Sequence, residues 1–239
     1  PRDIATVGVI GGGTMGSGIA TACLTAGLTV RMNERDDAAL ARGRETVDKN
    51  LTGAVKRGKM SAEARDAALA RFHPSTALED FAACDLVIEA VFEDMGVKRE
   101  VFGRLDAICK PGAVLATNIS YLGVNEIAAA TALPADVIGL HFFSPAHIMR
   151  LLEEVVAEKT APEVVATGFA LAKKLRKVAV RAGVCDGFIG NRILAHYKKA
   201  ADYLILDGAA PHQVDEAMEA YGFALGPFAV SDLAGLDIG

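Results

Sequence analysis

The sequence predicts an α/β fold: a mostly parallel sheet with helices on both faces, followed by an all-α domain that is cut short at the end of the chain. Three observations predict it. Short β-branched runs alternate with helical, Ala-rich stretches as far as "KVAVRAG", the order that builds parallel strands joined by crossover helices. The first of those runs ends in glycines that open a helix. From Asp186 onward the strand signals stop and only helical periodicity remains, so a domain boundary is expected near residue 185, with residues 1–185 and 186–239 as the two parts.

Each element has a local reason. "IATVGVIGGG" is a β-branched strand running into glycines, "TMGSGIATACLTAG" a helix ended by Gly27, and "LTVRMNE" a second strand. The charged stretch at about 36–71 reads as a helix hairpin inserted between strands, broken at "RGKMSAEA", with Ser61 as the N-cap of its second helix. "DLVIEAVF" is a buried strand, "DMGVKREVFGRLDAIC" a helix, "PGAVLATN" a third strong strand, "GVNEIAAAT" a short helix and "DVIGLHFF" a further strand. "RLLEEVVA", a helix around "PEVVATGFALAKKL" and "KVAVRAG" close the sheet. Beyond it lie a long helix in "GFIGNRILAHYKKAADYLILDG" and a second in "PHQVDEAMEAYG", with Pro211 near its start and Gly222 after its end. Arg31 and Asn33 are out of place in a central strand, and the sequence offers no reason for them.

Bulk properties exclude several classes. The chain is 51% hydrophobic and 23% charged with a net charge of −5, which speaks against nucleic-acid binding and a polybasic membrane contact. Its apolar runs are interrupted well short of the ~20 residues a membrane span needs, and no signal peptide is evident. The four cysteines are scattered without a CxxC pair, as expected of reduced thiols in a cytoplasmic protein with no metal site. Pro1 stands where a Met would begin a chain, and the last segment ends abruptly, so the sequence reads as part of something longer.

"GGGTMG" fits G-x-G-x-x-G through Gly11, Gly13 and Gly16, with Thr14 and Met15 between. Between a strand and a helix, such glycines let backbone amides approach a pyrophosphate, helped by the partial positive charge of the helix N-terminus. Glu34 ends the next strand, about 20 residues on, where a carboxylate binds the adenosine ribose and repels a 2′-phosphate. That is a Rossmann-type dinucleotide site with NAD preferred over NADP. Further along, His141 sits where a buried strand meets a Ser-Pro turn, and Glu153 follows in "MRLLEEVV". If the chain turns back there, the carboxylate can fix the imidazole's tautomer for general-base work on an alcohol. Glu154 is an alternative partner; strand alternation lets only one of the two acids meet the ring. Ser120 and Asn191 are further polar groups at element ends.

"VGVIGGGTMGSGIA", "LVIEAVFED", "ATNISYL", "GLHFFSPAHIMRLLE", "DGFIGNRIL" and "GPFAVSDLAGLD" together make the sequence resemble the 3-hydroxyacyl-CoA dehydrogenases of fatty-acid β-oxidation, over essentially the whole chain. "LILDGAAPHQVDEAME" is most similar to the dehydrogenase part of the multifunctional chains, in which a hydratase/isomerase domain comes first. The resemblance implies His141 as base, Glu153 as its orienting partner, and Ser120 and Asn191 as donors to the substrate C3 oxygen. It further implies cofactor contacts from Gly11 to Gly16, Glu34, Glu93, Lys98 and Asn118, and coenzyme A contacts from Asn50 and Arg57 on the hairpin, with Lys56 and Lys59 nearby. An acyl-CoA substrate and a homodimer formed through the C-terminal domain are also implied. Asn118-Ile119-Ser120 stands where the family usually has Asn-Thr-Ser, and Ser144 where many members have Asn. A dehydrogenase of a free hydroxy acid, or a catalytically silent NAD-binding protein, would share much of this pattern.

Overall fold

A computed structural model describes residues 1–121 and 123–234. Its sheet has eight strands in the order β3-β2-β1-β4-β5-β6-β7-β8. These are β1 (Thr6–Ile10), β2 (Thr29–Asn33), β3 (Phe72–Ser75), β4 (Leu86–Glu89), β5 (Val114–Thr117), β6 (Val137–Phe142), β7 (Leu151–Val156) and β8 (Val178–Gly183). Strands β1 to β6 run parallel, β7 is antiparallel to β6, and β8 is parallel to β7. The sheet is thus the mostly parallel, Rossmann-type one expected from the strand–helix alternation.

Two cores sandwich the sheet. Helices α1 (Thr14–Thr25), α2 (Asp37–Lys56), α3 (Ala62–Leu69) and α6 (Pro162–Lys174) cover one face, where Ile19, Val47, Leu51, Val164 and Leu171 meet Val9, Val30, Ile138 and Leu140. Helices α4 (Met95–Ile108) and α5 (Val124–Ala128) cover the other, with Phe102, Leu105 and Ile127 against Val87, Leu115 and Val137. The central strands are buried on both sides, which explains their near-continuous apolar runs.

The hairpin is closed by side chains. Asp36 accepts from Ala39 N–H at 2.7 Å to cap α2, Ser61 Oγ accepts from Ala64 N–H at 3.2 Å to cap α3, and Arg65 bridges back to Asp48 and Thr52. Strand β3 is absent from the sequence reading. Its four residues, "FHPS", include a proline, which an edge strand tolerates because one side of its ladder is unpaired. It also accounts for Asn33, whose side-chain amide donates to Ser75 O at 3.2 Å. Arg31, the other odd residue, is half-buried with no hydrogen bond to its Nε among the described residues, and nothing in the structure explains it.

The chain divides into Pro1–Phe188 and Ile189–Gly239. The described part of the second unit comprises α7 (Gly190–Leu206), α8 (Pro211–Tyr221) and α9 (Pro227–Ala234). Asp215 accepts from Phe228 and Ala229 N–H at 2.9 and 3.0 Å, capping α9, and Tyr197 stacks on Phe223. Among the described residues no helix is long and apolar enough to cross a membrane, and no group of three or more His, Cys, Asp or Glu could hold a metal.

Candidate active site

The glycine loop separates structural from permissive positions. Gly11 lies at φ +93, and a Cβ there would stand 2.6 Å from Ala90 O; at Gly16 it would stand 1.8 Å from Gly11 O. Those two glycines are needed to fold the turn. At Gly13 a Cβ would meet nothing within 4 Å, so this glycine leaves open the space before the N-terminus of α1, where a diphosphate would approach. Glu34 reaches the same loop: Oε1 accepts from Gly12 N–H at 2.7 Å and Oε2 from Arg35 N–H at 3.1 Å. The carboxylate is half-buried and fixed at the end of β2, so the donor set and the open helix end fit a dinucleotide. Thr14 is exposed and Met15 half-buried at the start of α1.

The carboxyl ends of β4 and β5 are tied together by buried polar side chains. Lys98, expected near the nicotinamide half of the cofactor, is fully buried; its ammonium donates to both oxygens of Glu89, at 2.8 and 2.9 Å. Glu89 also accepts from Thr117 Oγ1 at 2.7 Å and Val91 N–H at 2.7 Å. Lys98 therefore fastens α4 to two strand ends. Glu89 was hidden in the sequence as one acid inside "LVIEAVF", indistinguishable there from a solvent-facing strand residue. Glu93 accepts from the backbone N–H groups of Ser120 and Tyr121 at 2.9 and 2.8 Å, holding the loop that carries Ser120. Asn118 Oδ1 accepts from Phe142 N–H at 3.1 Å, joining the ends of β5 and β6.

The antiparallel turn between β6 and β7 puts His141 opposite Glu153 in register, both buried and on one face. His141 Nδ1 lies 2.7 Å from Glu153 Oε2. Paired in that way, the neutral ring carries its proton on Nδ1 and its lone pair on Nε2. Nε2 has no hydrogen-bond partner among the described residues. Phe143 and Phe188 flank the ring, with centroids 4.3 and 5.6 Å away. Neither aromatic was foreseen; Phe188 has φ +48 and follows Gly187 in a tight turn that sequence periodicity does not report.

Glu154 points to the opposite face, resolving the choice left open in "LLEEVV". Both its oxygens are buried without a hydrogen bond among the described residues, and burial raises its pKa to about 8. On the hairpin, Asn50 donates to Thr21 Oγ1 at 3.3 Å, and exposed Arg57 follows the end of α2. Asn191 is in the first turn of α7, within the helical unit.

The sequence of residues 6–185 matches the model of the 3-hydroxyacyl-CoA dehydrogenase NAD binding domain, and residues 187–239 match that of the family's C-terminal domain. The chain belongs to the 3-hydroxyacyl-CoA dehydrogenase family. NAD is the cofactor of its first domain. The peroxisomal bifunctional enzyme of Cavia porcellus is 47% identical over the whole chain, which covers 33% of that protein. Among solved structures, FadB2 of M. tuberculosis is 40% identical with a TM-score of 0.96, over 99% of this chain and 84% of that one. The (S)-3-hydroxybutyryl-CoA dehydrogenase PaaH1 of Ralstonia eutropha is 35% identical with a TM-score of 0.92, over 98% and 84%.

The chain therefore spans about a third of the length of the curated relatives it matches. Animal and plant relatives alike are named as peroxisomal or glyoxysomal proteins, and several plant ones as fatty acid β-oxidation multifunctional proteins. That corrects the cytoplasmic expectation. Reduced, scattered cysteines distinguish a reducing from an oxidising environment and carry no address for an organelle.

Proposed function

We propose that the chain oxidises the L-3-hydroxyl of an acyl-CoA to the ketone in fatty-acid β-oxidation. The observation that carries the reading is the buried His141–Glu153 pair at the carboxyl end of β6, on the same edge of the sheet as the open glycine loop. His141 Nε2 takes the hydroxyl proton. Glu153, fixed on Nδ1, keeps the ring in the tautomer that can do so and stabilises the imidazolium that forms. Ser120 and Asn191 hold the C3 oxygen, and Asn50 and Arg57 meet the coenzyme A end. Bound NAD⁺ supplies the hydride acceptor, held by Gly11, Gly13, Thr14, Met15, Gly16 and Glu34, with Glu93 and Asn118 ordering the loop beside the nicotinamide half.

In this reading residues 1–185 form the NAD-binding domain, with the hairpin at 36–71 inserted, and 186–239 the start of the substrate and dimerisation domain. The length and names of the relatives support a covalently linked hydratase domain. Exposed Ile193, Leu194 and Leu204 on α7 support self-association through the helical unit. Acetoacetyl-CoA and acetoacetate, each with NADH, test the substrate class. NADH consumption with the thioester alone is expected; equal turnover of the free acid would place the chemistry on a different substrate.

A further inference from the structure

A basic site lies on the helix-α6 side of the sheet. Arg150, Lys173, Arg176 and Lys177 line an open surface recess of about 480 Å³ together with Phe169 and Ala179. Among the described residues none of the four cations is paired with a carboxylate. Lys177 is anchored by donating to Ala146 O and Met149 O, both at 2.7 Å, so its charge is fixed in place without being neutralised. Lys173 sits in the last turn of α6, where one cation offsets the partial negative charge of a helix end; that charge is only about half an elementary charge and does not call for four cations. The chain as a whole is acidic, at −5, so the cluster is not a by-product of composition.

Arg176 has an unusual backbone. It is the residue after the C-cap of α6, at φ +57, with Arg176 N–H donating to Lys173 O and Lys177 N–H to Ala172 O. This is the left-handed helix stop that glycine adopts without strain and that side chains with a Cβ rarely occupy. An arginine held there adds nothing to the stop itself. What it adds is a guanidinium at the recess. Phe169, 38% exposed on α6, gives the recess an aromatic wall.

We propose that this recess binds a phosphorylated nucleoside, its phosphates on Arg150, Lys173 and Arg176 and its base against Phe169. Phosphate is the anion whose charge and multiple acceptors match a guanidinium cluster, and a base stacks on an exposed ring. The ligand has two sources in reach: the nucleotide end of an acyl-CoA, or a free nucleotide acting independently of the reaction assigned to His141.

The test is calorimetric titration of adenosine 3′,5′-bisphosphate into the protein saturated with NAD⁺, which closes the dinucleotide site. The wild type is expected to bind, more weakly as salt rises. The double variant Arg176→Gly/Lys173→Gln should lose roughly tenfold or more in affinity. Glycine suits the backbone at 176, so the variant should melt no lower than wild type and bind NAD⁺ as well. No binding by the wild type, or equal binding by the variant, overturns the proposal. The KM for acetoacetyl-CoA and for the acetoacetyl thioester of N-acetylcysteamine, which lacks the nucleotide, identifies the source. A rise for acetoacetyl-CoA alone assigns the site to the substrate's nucleotide end, and no rise for either assigns it to a free nucleotide. The titration reads the site even if no turnover is found, so it stands apart from the test of the dehydrogenase reaction.

Discussion

Glu154 should make the stability of the protein fall with rising pH, and Glu154→Gln should remove that dependence. The carboxyl is fully buried on β7, with neither oxygen bonded among the described residues, and it lies against α6 where a Cβ at Gly168 would stand 2.7 Å from Oε2. Arg181, its register neighbour on β8, is exposed and makes no bond to it. Burial therefore lifts the pKa from 4.5 to about 8. Between those values the folded chain holds a proton that the unfolded chain has released. The contribution is complete below the unfolded value and is lost as pH climbs through the folded one.

The limiting slope is about 1.4 kcal/mol per pH unit, which gives an upper bound of about 4 kcal/mol between about pH 5 and about pH 8. Water entry and local relaxation reduce such penalties, and about 2 kcal/mol is the working expectation. Urea unfolding of wild type and Glu154→Gln at about pH 5.5 and about pH 8.5 measures it, since every other titrating group cancels in the difference. The variant should gain about 2 kcal/mol on wild type across that interval, read as a midpoint shift of roughly 1 M urea. Parallel pH profiles for the two proteins would refute the reasoning.

Other perturbations separate the folding role of a residue from its binding role. Gly13→Ala should change stability by no more than about 1 kcal/mol but weaken NAD⁺ binding roughly tenfold or more, measured by titration, because the new methyl enters open space at the helix N-terminus. Gly16→Ala should fail to give a folded protein by circular dichroism, since its Cβ would overlap Gly11 O. Lys98→Met should cost about 3–5 kcal/mol, a melting-temperature loss of about 6–20 °C, because it leaves Glu89 buried without its cation. An unchanged melting temperature would show that the pair does not hold the strand ends together.

Much of this architecture is legible in the residues because hydrophobic period and punctuation agree. "TVGVI" followed by glycines, and "VIGLHF" followed by Ser-Pro, announce both a buried strand and the place where it stops. The antiparallel return of β7 was conditional in the sequence, since nothing in "SPAHIMR" dictates which neighbour the next strand joins. Once the register is set, alternation alone sends Glu153 to His141 and Glu154 to the far face. Strand β3 was illegible because a four-residue edge strand with a proline has neither length nor period. The Glu89–Lys98 pair was illegible for a different reason: it joins a strand end to a helix through a bond 2.8 Å long, and neither residue is unusual in its own segment. Arg176 was likewise ordinary until its backbone angle was known.

Turnover of acetoacetyl-CoA with NADH by wild type and by His141→Gln tests most directly whether His141 acts as the base. Glutamine keeps a polar side chain at the strand end but cannot exchange the proton. With His141 as the base, the wild type consumes NADH, the variant loses roughly 10²–10⁴ in turnover, and NADH binding is unchanged. Full activity in His141→Gln would contradict it.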